Sequence, residues 1–254
     1  MKKILLLLTL LFFPFIKIYG QVNIEKYKNL LNANRTSGNI SLYIYARTGN
    51  TDIQQINAEG LLNYSSETFH TILIAKGDYG WKKGDEFSNN ALLHLRYIHN
   101  LSNIINPELF TQIDYNKKRK LIFRYLFGGG IRITLIKNKK TNFVYGTSYM
   151  FEHENLNLDK FAKHPKTTYN NRWNNYFSYS NKISKTARIS VIIYAQPMFK
   201  NFSDIRLLGE NHLSVAISEK FSVSLDFSLR YDSIPPDDIK SVDTNSKVGL
   251  TLNL

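Results

Sequence analysis

The 254-residue sequence contains no cysteine, so neither a disulfide framework nor a lipoprotein anchor can form on it. After the first twenty residues it also lacks any apolar run of eighteen residues, which excludes a membrane-spanning helix in that part. An exported chain of this size without disulfides must gain its stability from packing or from closure of a sheet.

The first twenty residues have the pattern of a secretory signal peptide. Lys2 and Lys3 form a positive start, residues 4–16 are almost all apolar, and Gly20 offers a small residue before Gln21. The sequence therefore predicts a signal peptide over residues 1–20. Residues 21–38 do not alternate, and they are predicted to form a leader that is either a short helix or disordered.

Basic residues outnumber acidic ones. Removal of Lys2, Lys3 and Lys17 with the signal peptide lowers the formal net charge from +13 to +10. For an exported protein this surplus favours outer-membrane lipid and lipopolysaccharide as neighbours, and nucleic acid is not expected. The alternative is a solubilising excess of charge spread over turns and loops.

From Gly38 onwards the hydrophobic pattern has a period of two, which is typical of strands. The segment 221–232 sets Phe221, Val223, Leu225, Phe227, Leu229 and Tyr231 against Ser222, Ser224, Asp226, Ser228, Arg230 and Asp232. A second segment sets Leu121, Phe123, Tyr125, Phe127, Ile131 and Ile133 against Arg124, Gly128, Gly130, Arg132 and Thr134. Each strand thus has one apolar and one polar face.

These alternating runs are about ten residues or longer, whereas strands of soluble proteins are nearer five or six. A tilted strand needs about 9–11 residues to cross a bilayer, so the pattern predicts an all-β fold, a transmembrane antiparallel up-and-down β-barrel of about twelve strands over residues 39–254. The alternative is a soluble sandwich or lipocalin-like barrel with its apolar face inward, which would suit a periplasmic lipid carrier.

Twelve segments alternate in this way. They run near 39–48, 51–64, 67–77, 88–100, 106–116, 119–136, 141–153, 168–181, 186–197, 203–217, 220–232 and 243–254. With both termini in the periplasm, the connections near 78–88, 154–167, 198–202 and 233–242 are predicted to be long external loops. Those near residues 65–66, 137–138 and 218–219 are predicted to be short periplasmic turns.

Three blocks carry a resemblance to a known family. They are Arg47-Thr48-Gly49-Asn50-Thr51, then Glu108 to Tyr115 with Arg124 and Gly128-Gly129-Gly130-Ile131-Arg132, and then Arg230 to Pro236 with Asp243-Thr244. Over about residues 38–254 the chain resembles the family described as salt-induced outer-membrane proteins, domain of unknown function 481. The resemblance implies an outer-membrane barrel of unknown biochemical role, which the barrel-assembly machinery would insert. Leu254 departs from the aromatic residue with which such barrels usually end.

Two short motifs have a structural interpretation and a functional one. Glycines 128 to 130 interrupt a strand, so they predict either a tight corner or room in the barrel interior for a bulky neighbour. Nothing like a phosphate-binding loop accompanies them. The run Pro235-Pro236-Asp237-Asp238 predicts a rigid loop whose two acids could bind a cation, or an ordinary solvated turn.

Charges on the lipid face would be costly, so the polar faces are expected to line the barrel lumen. The predicted lining residues are Arg96, Gln112, Asp114, Arg124, Arg132, Glu152, Arg188, Asp226 and Arg230. Phe110, Ile122, Ile192 and Tyr194 are predicted to add bulk there. Two hypotheses remain open: an anion-leaning passage, or a plug in which the arginines pair with Asp114, Glu152 and Asp226.

The sequence gives little support for a catalytic site or a cofactor site. His94 and His212 lie on polar faces, so an outer-membrane lipid hydrolase is the alternative function, although no spacing demonstrates a nucleophile beside either. The run at His164 lacks partners at metal spacing. We therefore predict no catalytic residue, no metal and no cofactor.

Aromatic residues are abundant, with 16 Tyr, 16 Phe and 2 Trp. Those near predicted strand ends are Tyr79, Trp81, Tyr169, Trp173, Tyr176 and Tyr179. Interfacial girdles explain such residues, because their rings are apolar and their tips polar. Stacking on a sugar is the alternative.

Overall fold

The computed structural model describes residues 35–49 and 52–253, and these residues form twelve β-strands. The strands are β1 (Arg35–Arg47), β2 (Ile53–Ser65), β3 (Phe69–Lys82), β4 (Asp85–His99), β5 (Ile105–Asn116), β6 (Leu121–Lys137), β7 (Thr141–Leu156), β8 (Thr167–Lys182), β9 (Ala187–Met198), β10 (Asn201–Ala216), β11 (Phe221–Asp232) and β12 (Val242–Asn253). The predicted signal peptide and residues 21–34 of the predicted leader lie outside the described residues. In the described part no helix is long and apolar enough to cross a membrane.

Each strand pairs antiparallel with its neighbours in the sequence, and β1 pairs with β12 to close the sheet into a barrel. The closing register runs from Asn39 opposite Asn253 to Leu42 opposite Leu250. Closure joins the two outermost strands of the sheet, which would otherwise be free edges. The predicted architecture, an up-and-down barrel of twelve antiparallel strands, is confirmed.

The period-two pattern decides which face of the sheet points inward. In β11, Leu225, Phe227 and Leu229 are exposed, whereas Ser224 and Arg230 are buried. Because the wall is one sheet thick, a buried side chain points to the barrel interior. The polar face is therefore inside, and the alternative with an apolar face turned inward is wrong.

The outer face carries aromatic side chains in two rows. On β3, Phe69 and Tyr79 are ten residues apart in the sequence, and Tyr169 and Tyr179 repeat this spacing on β8. Ten residues span roughly 33 Å along a strand, and a tilt of about 40° reduces this to a height of roughly 25 Å. That height matches the apolar band of an outer-membrane barrel.

One of the residues predicted to belong to these rows does not. Tyr79, Tyr169, Trp173 and Tyr179 are exposed on the outer face, but Tyr176 is only 1% exposed and lies inside the barrel. The prediction that Tyr176 belongs to an outer aromatic row is therefore wrong. Tyr176 is at one of the positions of β8 whose side chains point inward.

Two connections that were predicted to be long are two-residue turns. β3 continues to Lys82 and β4 begins at Asp85, and both residues between them have positive φ (52° at Lys83 and 89° at Gly84). This conformation suits the twist of a tight hairpin. Phe199 and Lys200 alone connect β9 to β10. The predictions of long loops at 78–88 and 198–202 are therefore wrong, because the strands continue into these segments and leave only two-residue turns.

The other two predicted loops are long, and they touch each other. They connect β7 to β8 and β11 to β12, at the end of the barrel opposite the start of β1 and the end of β12. The Asp237 carboxylate accepts hydrogen bonds from the backbone N–H groups of Lys163 (3.1 Å) and His164 (2.8 Å). These bonds hold the pKa of Asp237 below its usual value, and we call this end of the barrel the loop end.

The adjacent Asp238 pairs with Lys120 at 2.8 Å. Both carboxylates of the predicted acidic loop are therefore used in contacts between segments of the chain. Among the described residues no group of three or more His, Cys, Asp or Glu side chains could hold a metal ion.

The start of the barrel also differs from its predicted position. β1 begins at Arg35 rather than near residue 39, and its pairing with β2 extends from Arg35 opposite Ser65 to Arg47 opposite Ile53. The first residues of β1 include Thr36, Ser37 and Gly38, none of which has an apolar side chain. The apolar alternation by which the strand was predicted therefore starts only after them.

Candidate functional site in the barrel interior

The structure carries the nine predicted lumen residues at inward positions of their strands. Arg188 and Asp226 are half-buried there. The other seven are buried, namely Arg96, Gln112, Asp114, Arg124, Arg132, Glu152 and Arg230. Their role in lining or closing a passage stays a prediction.

At the loop end, an ion-pair network lies in the interior. Asp114 on β5 and Arg124 on β6 are direct cross-strand partners. Their side chains form a bidentate pair, with Nε to Oδ1 at 2.9 Å and Nη2 to Oδ2 at 3.0 Å. The Arg124 Nη1 atom also lies 3.9 Å from Glu152 and 3.7 Å from Glu154.

Arg206 on β10 is the centre of this network. Its Nη2 atom donates to Glu154 at 2.8 Å, its Nε atom donates to Asp232 at 3.0 Å, and Nη1 also contacts Glu152. Glu152 and Glu154 lie on β7, and two strands separate β7 from β10 in the sheet. The guanidinium therefore bridges the interior between strands that do not pair.

Arg172 on β8 extends the network. Its Nε atom donates to Glu152 at 3.1 Å, and its Nη1 atom donates to the Asp204 carboxylate at 2.9 Å. The network thus has equal numbers of opposite charges, five arginines (Arg119, Arg124, Arg172, Arg206 and Arg230) and five carboxylates (Asp114, Glu152, Glu154, Asp204 and Asp232).

A second layer lies towards the middle of the barrel. Arg96 Nη1 donates to Glu108 at 3.1 Å, and both side chains are fully buried. The Tyr176 hydroxyl donates to the same Glu108 oxygen at 2.9 Å. Because Tyr176 lies on β8 and Glu108 on β5, this contact also crosses the interior. Phe110 packs here, with its ring centre 5.1 Å from the Arg96 guanidinium.

A further set of interior contacts involves side chains of β1, β2, β3, β10 and β11. Lys76 on β3 lies 3.7 Å from Glu59 and 3.8 Å from Glu210, which is on β10 across the barrel. Asp226 accepts a hydrogen bond from the Tyr43 hydroxyl at 2.7 Å, and the His212 Nδ1 atom also lies 2.7 Å from it.

Sequence reasoning missed Arg172, Arg206, Glu108 and Glu154. Each has the inward parity of its strand, so alternation alone could have found it. Ile122 is the opposite case, because it was predicted to lie inside and is 50% exposed. An extra residue in β6 between Leu121 and Phe123 shifts the register against β7, and Leu121 rather than Ile122 is buried.

Glycines make room for the aromatic rings of the interior. A Cβ atom on Gly128 would clash with the Phe110 ring, and one on Gly146 would clash with the Tyr176 ring. Of the two interpretations of the triple glycine, room for a bulky neighbour is therefore the one that Gly128 fits.

We expect Gly146→Ala to lower the free energy of unfolding by about 1–3 kcal/mol, because the Tyr176 ring is buried and its hydroxyl is bonded to Glu108, so a shift of the ring would strain this packing. Gly77→Ala is the matched control, since a Cβ atom there meets nothing within 4 Å. Urea titration of both variants in lipid vesicles measures the difference. Identical unfolding midpoints would show that the Tyr176 packing is misjudged.

The two histidines considered for catalysis face the interior. His94 is fully buried, its Nδ1 atom lies 3.1 Å from the Gln112 amide oxygen, and Arg96 donates to its Nε2 atom at 3.4 Å. His212 has a carboxylate beside it in Asp226, and Ser190 is its cross-strand partner on β9.

The sheet of this protein has the fold of outer-membrane barrels. The NanC porin matches with a TM-score of 0.51 at 7% identity, over 85% of this chain and 98% of that chain. The KdgM porin matches with a TM-score of 0.44 at 7% identity, over 87% and 99%. The translocator domain of the autotransporter NalP from Neisseria meningitidis matches with a TM-score of 0.45 at 9% identity, over 91% and 93%.

A comparison with curated proteins gives no match. The family model described as "Protein of unknown function, DUF481" matches residues 41–253, which include all the strands except the first residues of β1. The chain therefore belongs to the DUF481 family of proteins of unknown function.

Proposed function

We propose that this protein is an outer-membrane β-barrel with a structural role in the cell envelope, and that ion pairs and hydrogen bonds close its interior. The observation that carries the proposal is the set of contacts between strands that do not pair. Arg206 reaches Glu154 at 2.8 Å, and Tyr176 reaches Glu108 at 2.9 Å. Such bridges occupy the cross-section that a channel would leave to water.

The outer face supports the membrane location. Its apolar side chains would be expensive to expose to water over so large an area. The two aromatic rows are separated by the height of a bilayer's hydrocarbon core. Outer-membrane lipid and lipopolysaccharide are the proposed neighbours, the barrel-assembly machinery is the proposed partner in biogenesis, and the predicted signal peptide would direct export. We propose no nucleic-acid partner and no cofactor.

The charges inside favour a plug over an anion-selective passage. A selective passage needs charges of one sign that face water. Here the five arginines of the loop-end network meet five carboxylates. Most of this positive charge is thus neutralised within the protein, which leaves little field along the barrel for a passing anion.

A porin-like channel is the competing function, and liposome swelling distinguishes the two. We expect liposomes that contain the folded protein to swell in isotonic arabinose or glucose no faster than protein-free liposomes. An open diffusion porin reconstituted in parallel shows that the assay responds. Rapid swelling with the unmutated protein would refute the closed interior.

The His212–Asp226 pair, at 2.7 Å, is the observation that favours a lipid hydrolase. It resembles the base and orienting carboxylate of a catalytic triad. However, a lipid substrate would reach the outer face, whereas His94 and His212 point inward. We therefore propose that the protein is not an enzyme.

A further inference from the structure

The loop end holds an arginine that shares its counterion. Arg119 closes the 3-10 turn Lys117–Arg119 between β5 and β6. The Asn116 side chain accepts a hydrogen bond from the Arg119 backbone N–H at 3.0 Å, and Lys120 follows with a φ of 55°. This capped turn directs the Arg119 side chain inward, and the residue is only 7% exposed.

Asp114 is the counterion of Arg119, but it pairs mainly with Arg124. Its Nη2 atom lies 3.4 Å from Asp114, whose carboxylate already receives two shorter bonds from Arg124, at 2.9 and 3.0 Å, and one from Gln112 at 3.1 Å. The buried Nε atom of Arg119 has no hydrogen-bond partner. A buried guanidinium with so little compensation is unfavourable unless a further anion accompanies it.

The electrostatic surroundings agree with this geometry. Burial and the nearby charges of Arg230 and Arg124 lower the pKa of Arg119 to about 9. Arg119 thus lies close to two other guanidinium groups, and an anion bound beside it would offset their repulsion.

Space for a ligand adjoins the same side chain. Arg119 lines three neighbouring cavities of about 20, 50 and 220 Å³, the second of which extends towards the middle of the barrel. The largest is partly open and is also lined by Lys118 and Lys240, by the acids Asp238 and Asp243, and by the amide side chains of Gln55, Asn116 and Asn245. Of the acids, Asp238 already pairs with Lys120 at 2.8 Å.

We propose that this loop-end cavity binds a small polar molecule through its carboxylate or phosphate group, with Arg119 as the principal anchor. A guanidinium can hold such an oxyanion by two parallel hydrogen bonds. The amide groups around the cavity can bind hydroxyl groups on the rest of the molecule. Such a site would give the protein a ligand-binding role at the loop end. This proposal does not depend on whether the barrel interior conducts ions.

The test is titration calorimetry of the folded mature protein in detergent, with glucuronate and with inorganic phosphate as probes. We expect at least one probe to bind, and Arg119→Met to weaken its binding by tenfold or more. Lys139→Met is the matched control, because it removes a positive charge from an exposed position at the opposite end, and it should bind as the unmutated protein does.

Folding is followed in the same samples. Arg119→Met leaves the Arg124–Asp114 pair complete, so its melting temperature should not fall. A phosphate-only response would assign the site to phosphorylated ligands, and a glucuronate-only response would assign it to sugar acids. Absence of binding by both probes at millimolar concentration would overturn the proposal, and so would equal binding by Arg119→Met and the unmutated protein.

Discussion

Arg206→Met is expected to lower the free energy of unfolding by about 3–5 kcal/mol. The methionine side chain retains much of the volume, but it removes the cation that contacts Glu152, Glu154 and Asp232. Three buried carboxylates would then share the remaining arginines, and such uncompensated charge is costly when it is buried.

Lys120→Met is the matched control for this change. It also removes one positive charge and one ion pair, the contact with Asp238 at 2.8 Å. That pair is exposed to solvent, so its loss should cost about 1 kcal/mol or less. Denaturant titration in lipid vesicles measures both variants, and equal losses would contradict a buried network.

A double variant separates ion pairing from packing. If Arg206 acts through its charge, the added substitution Glu154→Gln should recover part of the stability that Arg206→Met loses. Additive losses in the double variant would instead mean that the arginine acts through its volume.

Leu93→Arg is expected to destabilise the barrel by about 2–4 kcal/mol and to reduce the yield of folded protein. Leu93 is 48% exposed on the outer face of β4. It lies midway between Tyr97, which stacks on Phe69 of one aromatic row, and Asn89, the cross-strand partner of Tyr79 in the other row. A charge there would lie near the centre of the hydrocarbon layer.

Leu93→Ala is the control, because it shortens the side chain without adding charge. Folded and unfolded fractions can be separated by gel mobility before and after heating, since a closed barrel resists unfolding by SDS without heat. If arginine and alanine gave the same folded fraction, the outer face of β4 would not be in contact with lipid.

The number of strands and the direction of their faces were predictable because both are local properties. In β11 the alternation from Phe221 to Asp232 fixes the inward residues without reference to any other strand. Twelve such runs, each ending at polar or turn residues, therefore predicted the barrel. The same parity would have assigned Tyr176 to the interior.

The site was less predictable, because its contacts depend on which strands face each other across the barrel. The pair of Arg206 and Glu154 joins β10 to β7, and this requires the stagger of the whole closed sheet. Local irregularities also escaped detection. The extra residue near Ile122 has no marker in its sequence, and Lys83-Gly84 is a less familiar hairpin turn than Asn-Gly.

The central claim is that contacts across the interior close the barrel, and single-channel recording in planar bilayers tests it most directly. With the purified, unmutated protein we expect no steady conductance steps above the lipid baseline, at either sign of voltage. Steady, reproducible steps that favour anions would contradict the claim and would make this member of the DUF481 family a channel.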